Sequence, residues 1–256
     1  MENTLVRHAL ILLFAIVATL IDGGIGMGYG TSLTTLLLSI GIGTAVASAS
    51  VHIAEVFTTL ASGLSHVKIG NFDQKIFAFL AIPGVFGGMI GAWSAVHFQD
   101  ETFIRPLIAS ILLLLGVFII FKFSRTREIL NAEYDRPRVR HLMPLGFVAA
   151  FVDAIGGGGW GPIATPTLIL RNAHPQHVIG SVNFAEFFVS FSISLTFFFS
   201  LPKISFAIVI PMVIGGLVAA PVGAWLTQRL SHKTVGILVG ILIILLSVRT
   251  LLLSIL

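Results

Sequence analysis

The chain has 256 residues, 56% of them hydrophobic and only 10% charged, with no cysteine and a formal charge of +4. A soluble domain carries about a quarter of its residues as charged groups, so this composition excludes an ordinary soluble fold. The missing cysteine excludes disulfides, thiolate metal sites and thiol catalysis.

Apolar runs recur along the whole length, which is the pattern of an all-α polytopic membrane protein. Residues 1–21 place Arg7 before an apolar core and small residues, the outline of a signal peptide. A similar segment recurs at 142–155. A cleaved leader has no reason to be copied mid-chain, so both read as membrane segments. The first, about 8–21, runs into the stretch "DGGIGMGYG" at 22–30. A short helix is expected at about 31–40 and three longer ones at about 44–66, 74–97 and 103–123. A polar stretch, "KFSRTREILNAEYDRPRVRH", then fills 122–141. The order repeats: an apolar segment at about 142–155, the stretch "DAIGGGGWGP" at 153–162, a short helix at about 162–171, and longer helices at about 176–199, 204–228 and 233–255. The chain therefore divides into a first membrane repeat (1–121), a basic linker (122–141) and a second membrane repeat (142–256).

The repeat is visible residue by residue. An offset of 131 pairs Asp22 with Asp153, Gly26 with Gly157, Gly28 with Gly159 and Gly30 with Gly161. The same offset pairs Ser50 with Ser181, Ala54 with Ala185 and Glu55 with Glu186, and 11 of the 36 positions from 22 to 57 are identical. Shared apolar composition does not produce paired acids and glycine ladders at one offset, so the chain is duplicated. The linker cations Lys122, Arg125, Arg127, Arg136, Arg138 and Arg140 place the linker in the cytoplasm. An odd number of crossings per half then puts Lys68, Lys75, Arg171, Arg229 and Lys233 inside as well; within the second half this places three cations correctly against one, Lys203. The two halves are accordingly expected to be inverted repeats, each a Gly-interrupted pair of short helices plus three longer ones, with both termini outside. The expected location is the cytoplasmic membrane, multi-pass.

At 1.5 Å per residue, the segments of about 14 and 10 residues flanking each Gly-rich break do not span a core of about 30 Å. Short, Gly/Pro-interrupted segments at matching positions of two halves point to a transporter's binding site. Helix N-termini at mid-membrane offer free N–H donors and partial positive charge, which suit an anion. The breaks thus read as an anion cradle of Gly28, Gly30, Gly158, Gly159 and Gly161, walled by Tyr29 and Trp160; close helix packing is the competing reading of the glycines. Ser50, His52, Ser181 and Asn183 are further candidate ligands to the anion, with helix–helix bonding open for the serines. Glu55 and Glu186 lie deep in their helices, where a charged acid costs about 2.5–3.5 kcal/mol. They read either as proton carriers or as carboxylates bracing the breaks through backbone N–H groups; Asp22 and Asp153 read mainly as structural. No metal, cofactor or nucleic acid is expected, and no Ser/His/Asp set supports an enzyme. "GGMIG" at 87–91 and "GGLVA" at 215–219 could pack helices within a protomer or across a homodimer.

The stretches "DAIGGGGWGPIATPTLIL" and "IGSVNFAE", with "GMGYGTSLTTLLL" and "ASASVHIAE" in the first half, resemble the TauE/SafE family of sulfite exporters. The resemblance covers essentially the whole chain, and Gly156–Gly159 and Pro166 match the family's glycine run and proline. It implies a secondary transporter exporting sulfite or a related small sulfur anion. The first half departs from the pattern: Ile25 and Met27 interrupt the glycines, and Thr35 stands where Pro166 stands in the second copy. Another anion (sulfate, thiosulfate or a small carboxylate) or a membrane assembly role are the alternative readings.

Overall fold

A computed structural model describes residues 2–97, 101–125, 139–169, 175–201, 204–227 and 229, with further positions between 237 and 252. Among the described residues all regular structure is helical: α1 (Glu2–Ile25), α2 (Tyr29–Ser39), α3 (Thr44–Lys68), α4 (Gln74–His97), α5 (Glu101–Arg125), α6 (Val139–Gly156), α7 (Trp160–Ile169), α8 (Pro175–Ser200) and α9 (Phe206–Leu226). Positions such as Gly240, Ile241 and Ser247 are helical; most of the segment expected at 233–255 lies outside the described residues. So do Arg127, Arg136, Arg138, Arg171, Lys203 and Lys233, on which the orientation was argued.

Five helices are long and apolar enough to cross a membrane: Val6–Ile25, Thr44–Lys68, Gln74–His97, Gln176–Ser200 and Phe206–Leu226. The first of these corrects an expectation. The segment before the first break is a helix of 24 residues, not about 14. Asp22, Gly23 and Gly24 do not end it, because their backbone groups stay inside the helical ladder. Gly23 is there to let another helix in: a Cβ on it would lie 2.9 Å from the backbone of Gly223 in α9. The matching helix α6 is shorter, with 18 residues and Pro144 inside it.

Helices α3 and α8 pack on each other, α4 packs on α6 and α8, and α9 packs on α1 and α3. The offset of 131 maps α1 to α6, α3 to α8 and α4 to α9, so it exchanges these pairings. Two cores result. One gathers Ile11, Ala15, Leu33, Leu37 and Met212 from α1, α2 and α9; the other gathers Leu80, Ala150, Trp160, Ala164 and Val189 from α4, α6, α7 and α8. Outward faces carry Phe86, Phe198 and Val218, each at least 60% exposed, which suits hydrocarbon rather than water. Trp93 and Trp225 are half exposed near helix ends; Trp93 stacks on His97 and Arg229 lies 4.5 Å over the Trp225 ring.

The two glycine stretches of α4 and α9 pack within the protomer. Gly87 faces the Phe147 carbonyl, and a Cβ on Gly91 would lie 2.6 Å from the Phe151 carbonyl oxygen. On the other side, a Cβ on Gly215 would lie 2.7 Å from the carbonyl oxygen of Leu12, and Gly216 meets Thr58.

This packing predicts a contrast between neighbouring glycines. Gly223→Ala drives a methyl to within 2.9 Å of the Thr19 carbonyl and 3.1 Å of Gly23, and overpacking of this kind costs about 1–3 kcal/mol. Gly24→Ala meets nothing closer than 3.9 Å. Thermal unfolding in detergent should show a clear loss for the first and none for the second.

Candidate functional site

Each break begins with one glycine in a left-handed conformation. Gly26 has φ +70° and its N–H donates to the Asp22 carbonyl at 2.6 Å; Gly157 has φ +66° and donates to the Asp153 carbonyl at the same distance. Residues with a Cβ avoid this region, so glycine is required for the chain to leave the helix here. Helices restart at Tyr29 and Trp160, with the N–H of Ser32 bonded to the Gly28 carbonyl and that of Ile163 to the Gly159 carbonyl.

The two breaks cross in direct backbone contact. A Cβ on Gly30 would lie 2.8 Å from Gly158 Cα, and one on Gly161 would lie 2.7 Å from Met27 Cα. The crossing is pinned reciprocally: the Thr34 hydroxyl donates to the Gly157 carbonyl, and the Thr165 hydroxyl donates to the Gly26 carbonyl at 2.6 Å. Thr34 and Thr165, like Gly26 and Gly157, are 131 residues apart, so the two bonds are copies of each other. The first turns of α2 and α7 therefore sit at one place, each against the opposite break.

Around the crossing lie buried polar groups from four helices. Asp22, His52, Glu55, Asp153, Asn183 and Glu186 are all 5% exposed or less. His52 Nδ1 lies 2.8 Å from the Ser48 carbonyl, and its Nε2 lies 3.1 Å from Asp153 Oδ2 and 3.8 Å from Glu55 Oε2. Asp153 Oδ1 accepts the Gly159 N–H at 2.6 Å. Glu55 Oε2 accepts the Ser190 hydroxyl at 3.0 Å. Glu55 Oε1, Glu186 Oε2 and Asn183 Oδ1 have no hydrogen-bond partner among the described residues. The nitrogen of His52 and the oxygens of Glu55 and Asp153 fall within 4.8 Å of one another, near enough to share a cation; the closest approach has the length of a hydrogen bond.

A family description, sulfite exporter TauE/SafE, matches residues 11–250 of the chain. The chain belongs to the TauE/SafE family. It is 41% identical over 240 residues to the probable membrane transporter protein YtnM of Bacillus subtilis (strain 168), covering 92% of this chain and 80% of the relative. It is 25% identical over 177 residues to the probable membrane transporter protein YdhB of the same organism, covering 66% and 68%. No solved structure matches. The family and its five apolar spans make the protein a multi-pass membrane transporter.

In this TauE/SafE protein the breaks and the buried acids come together, but not every residue expected at the site turns toward it. Ser50 donates to the Val46 carbonyl within its own helix, and Ser181 bonds the backbone of Asp73 in the turn after α3. Trp160 is fully buried and donates its indole N–H to the Val182 carbonyl at 3.1 Å; the Tyr29 hydroxyl lies 3.5 Å from the Met212 carbonyl. Asn183 donates to Ser62 at 3.1 Å. A break N–H goes to Asp153 rather than to Glu55. Sequence reading passed over Thr34, Thr165, Ser48 and Ser190. The signal for the threonines was present, since they are identical at the offset of 131; Ser190 falls opposite Thr59, another hydroxyl.

The reciprocal bonds carry a stability prediction. Thr34→Val and Thr165→Val each remove the hydroxyl donor to a buried break carbonyl, a loss of about 1–3 kcal/mol. Unfolding measurements should show similar losses for the two variants. Their double mutant should lose less than the sum, because both bonds hold the same crossing.

Proposed function

We propose that this transporter moves sulfite or a related small sulfur-containing anion out across the cytoplasmic membrane, and that its halves are inverted repeats sharing one anion site. The reciprocal crossing of the two Gly-rich breaks carries this reading. It brings the first turns of α2 and α7 to one place inside the bundle, and a helix N-terminus favours an anion there. Irregular backbone at membrane depth is tolerated where it is buried in protein or lines a cavity, and transporters use such interrupted helices as binding sites.

The neighbouring carboxylates are partly occupied by donors: Asp153 takes Gly159 and His52, and Glu55 takes Ser190. Their repulsion of an anion is reduced accordingly. The anion would be held by the backbone of Gly28–Gly30 and Gly158–Gly161, with His52 and Asn183 beside it. The crossing is closed in this conformation, so transport requires the two cores to shift against one another and part the breaks.

With no coupled ion, export needs no energy source beyond the negative interior of the cell. One negative charge leaving gains about 2.3 kcal/mol per 100 mV, so a dianion gains about three decades of concentration. The test is flux of labelled sulfite in proteoliposomes under a potential of either sign, with Gly158→Leu beside the wild type. Flux should follow the potential and disappear in the variant, whose side chain would occupy the place of Thr31 backbone. Absence of sulfite flux in folded wild-type protein that moves thiosulfate or sulfate would reassign the substrate. No flux of any small anion would end the reading.

A further inference from the structure

The hydrogen bonds of His52 fix a proton count. Its Nδ1 lies 2.8 Å from the Ser48 carbonyl, which can only accept. The Ser48 hydroxyl, 3.3 Å from the same nitrogen, spends its own proton on the Ala154 carbonyl at 2.7 Å. Nδ1 therefore carries hydrogen. In a neutral imidazole Nε2 is then a bare lone pair, yet it lies 3.1 Å from Asp153 Oδ2. Two lone pairs do not meet at that distance in a site that is 0–1% exposed. Either Nε2 or the Asp153 carboxyl holds one more proton, and in both cases the pair is neutral overall.

From this geometry we propose that His52 and Asp153 together bind one exchangeable proton, and that this proton crosses the membrane with the anion. The proposal rests on the anion-transport reading for its second half only. Proton and anion are linked because the pair lies at the break: Asp153 Oδ1 is bonded to the N–H of Gly159, a residue of the proposed anion cradle. A neutral pair favours an anion there and a deprotonated pair opposes it, and by reciprocity the anion holds the proton.

Of the ionisable groups facing His52 among the described residues, only Asp153 lies at hydrogen-bond distance from Nε2. From α3 itself Glu55 approaches to 3.8 Å, from α6 Asp153 to 3.1 Å, and from α8 the ring of Phe197, which is uncharged. Asp22 of α1 and Glu186 of α8 act on the cluster at longer range through Glu55 and Asp153. Helix α9 contributes no ionisable side chain. The arrangement is also one-sided. Position 183, opposite His52 in the duplication, is asparagine, whose amide donates to Ser62 and cannot carry a proton. This pair therefore supplies one proton per transport cycle, and a dianion leaving with it moves one net negative charge rather than two.

Asp153→Asn tests this with little disturbance. The amide oxygen can still accept the Gly159 N–H, and the amide N–H₂ satisfies Nε2 with no added proton. Two readouts are needed. In acid–base titration of purified protein, the wild type should release one proton more per chain than Asp153→Asn on going from mildly acidic to alkaline pH, with no substrate present. In proteoliposomes clamped at zero potential with valinomycin, a pH gradient of one unit should shift the wild type's equilibrium anion ratio about tenfold. In Asp153→Asn the gradient should shift it not at all, whatever the rate. His52→Asn, which copies the second half, should behave alike and covers a folding failure of the first variant. Equal proton release by wild type and both variants would overturn the proton site. An anion ratio that ignores pH in the wild type, or still follows it in both variants, would overturn the coupling. Loss of one proton in titration with no flux of any anion in the wild type supports the proton site and sinks the transport reading instead.

Discussion

Two hydroxyl–carbonyl bonds hold the site together. Thr34 on Gly157 and Thr165 on Gly26 tie the first left-handed residue of each break to the short helix of the other half. Chain leaving a helix inside a membrane exposes carbonyls that no water can reach, and each would cost several kcal/mol if left alone. Here the carbonyl released by one break is the acceptor for the opposite short helix. Each break returns N–H groups to its own aspartate, but these two carbonyls are bonded from the other half. The duplication is therefore obligatory in a physical sense: a single repeat would carry an unpaired carbonyl at membrane depth, and two copies close each other.

The same constraint explains the buried acids. Six polar side chains with at most 5% exposure lie around the crossing, at a depth where an isolated charge is expelled. Four of them find part of their hydrogen bonding in the break or in a neighbour: Asp153 in Gly159 and His52, Glu55 in Ser190, Asn183 in Ser62. The satisfaction is incomplete, since Glu55 Oε1, Glu186 Oε2 and Asn183 Oδ1 have no partner among the described residues. Half-satisfied polar networks are unfavourable in a purely structural core. Their retention beside the two helix N-termini is what separates this centre from simple helix packing.

Much of this was legible in the sequence because the signals are periodic or paired. Apolar runs give the spans, and a single offset of 131 gives the correspondence of glycines, acids and threonines. Two things were not legible. The glycines of α1 look like a helix stop, yet the helix continues through Gly23 and Gly24, with Gly223 packed against Gly23; helix-breaking propensity, about 1 kcal/mol per glycine, yields to interhelical contact. The direction of each side chain was also out of reach. Ser50 and Ser181 are identical at the offset and sit beside the site in sequence, but one turns into its own helix and the other onto the turn before α4. Identity at a repeat position marks shared architecture before it marks shared chemistry.

The departures from symmetry are then the more informative positions. The residues that pin the crossing are matched between halves: the left-handed glycines Gly26 and Gly157 and the threonines Thr34 and Thr165. What surrounds the crossing is not matched, with histidine at 52 against asparagine at 183, tyrosine at 29 against tryptophan at 160, and Thr35 against Pro166. A two-fold scaffold needs equal parts only where the halves bear on each other. The residues free to diverge are those whose partners lie within one half or in the space between. His52 diverges from its counterpart although it is fully buried and bonded across halves to Asp153. Scaffold symmetry does not call for that bond, because the matching position 183 in the other half is asparagine. On the proton-site proposal, the histidine is what one half adds to a frame whose matched parts do not require it.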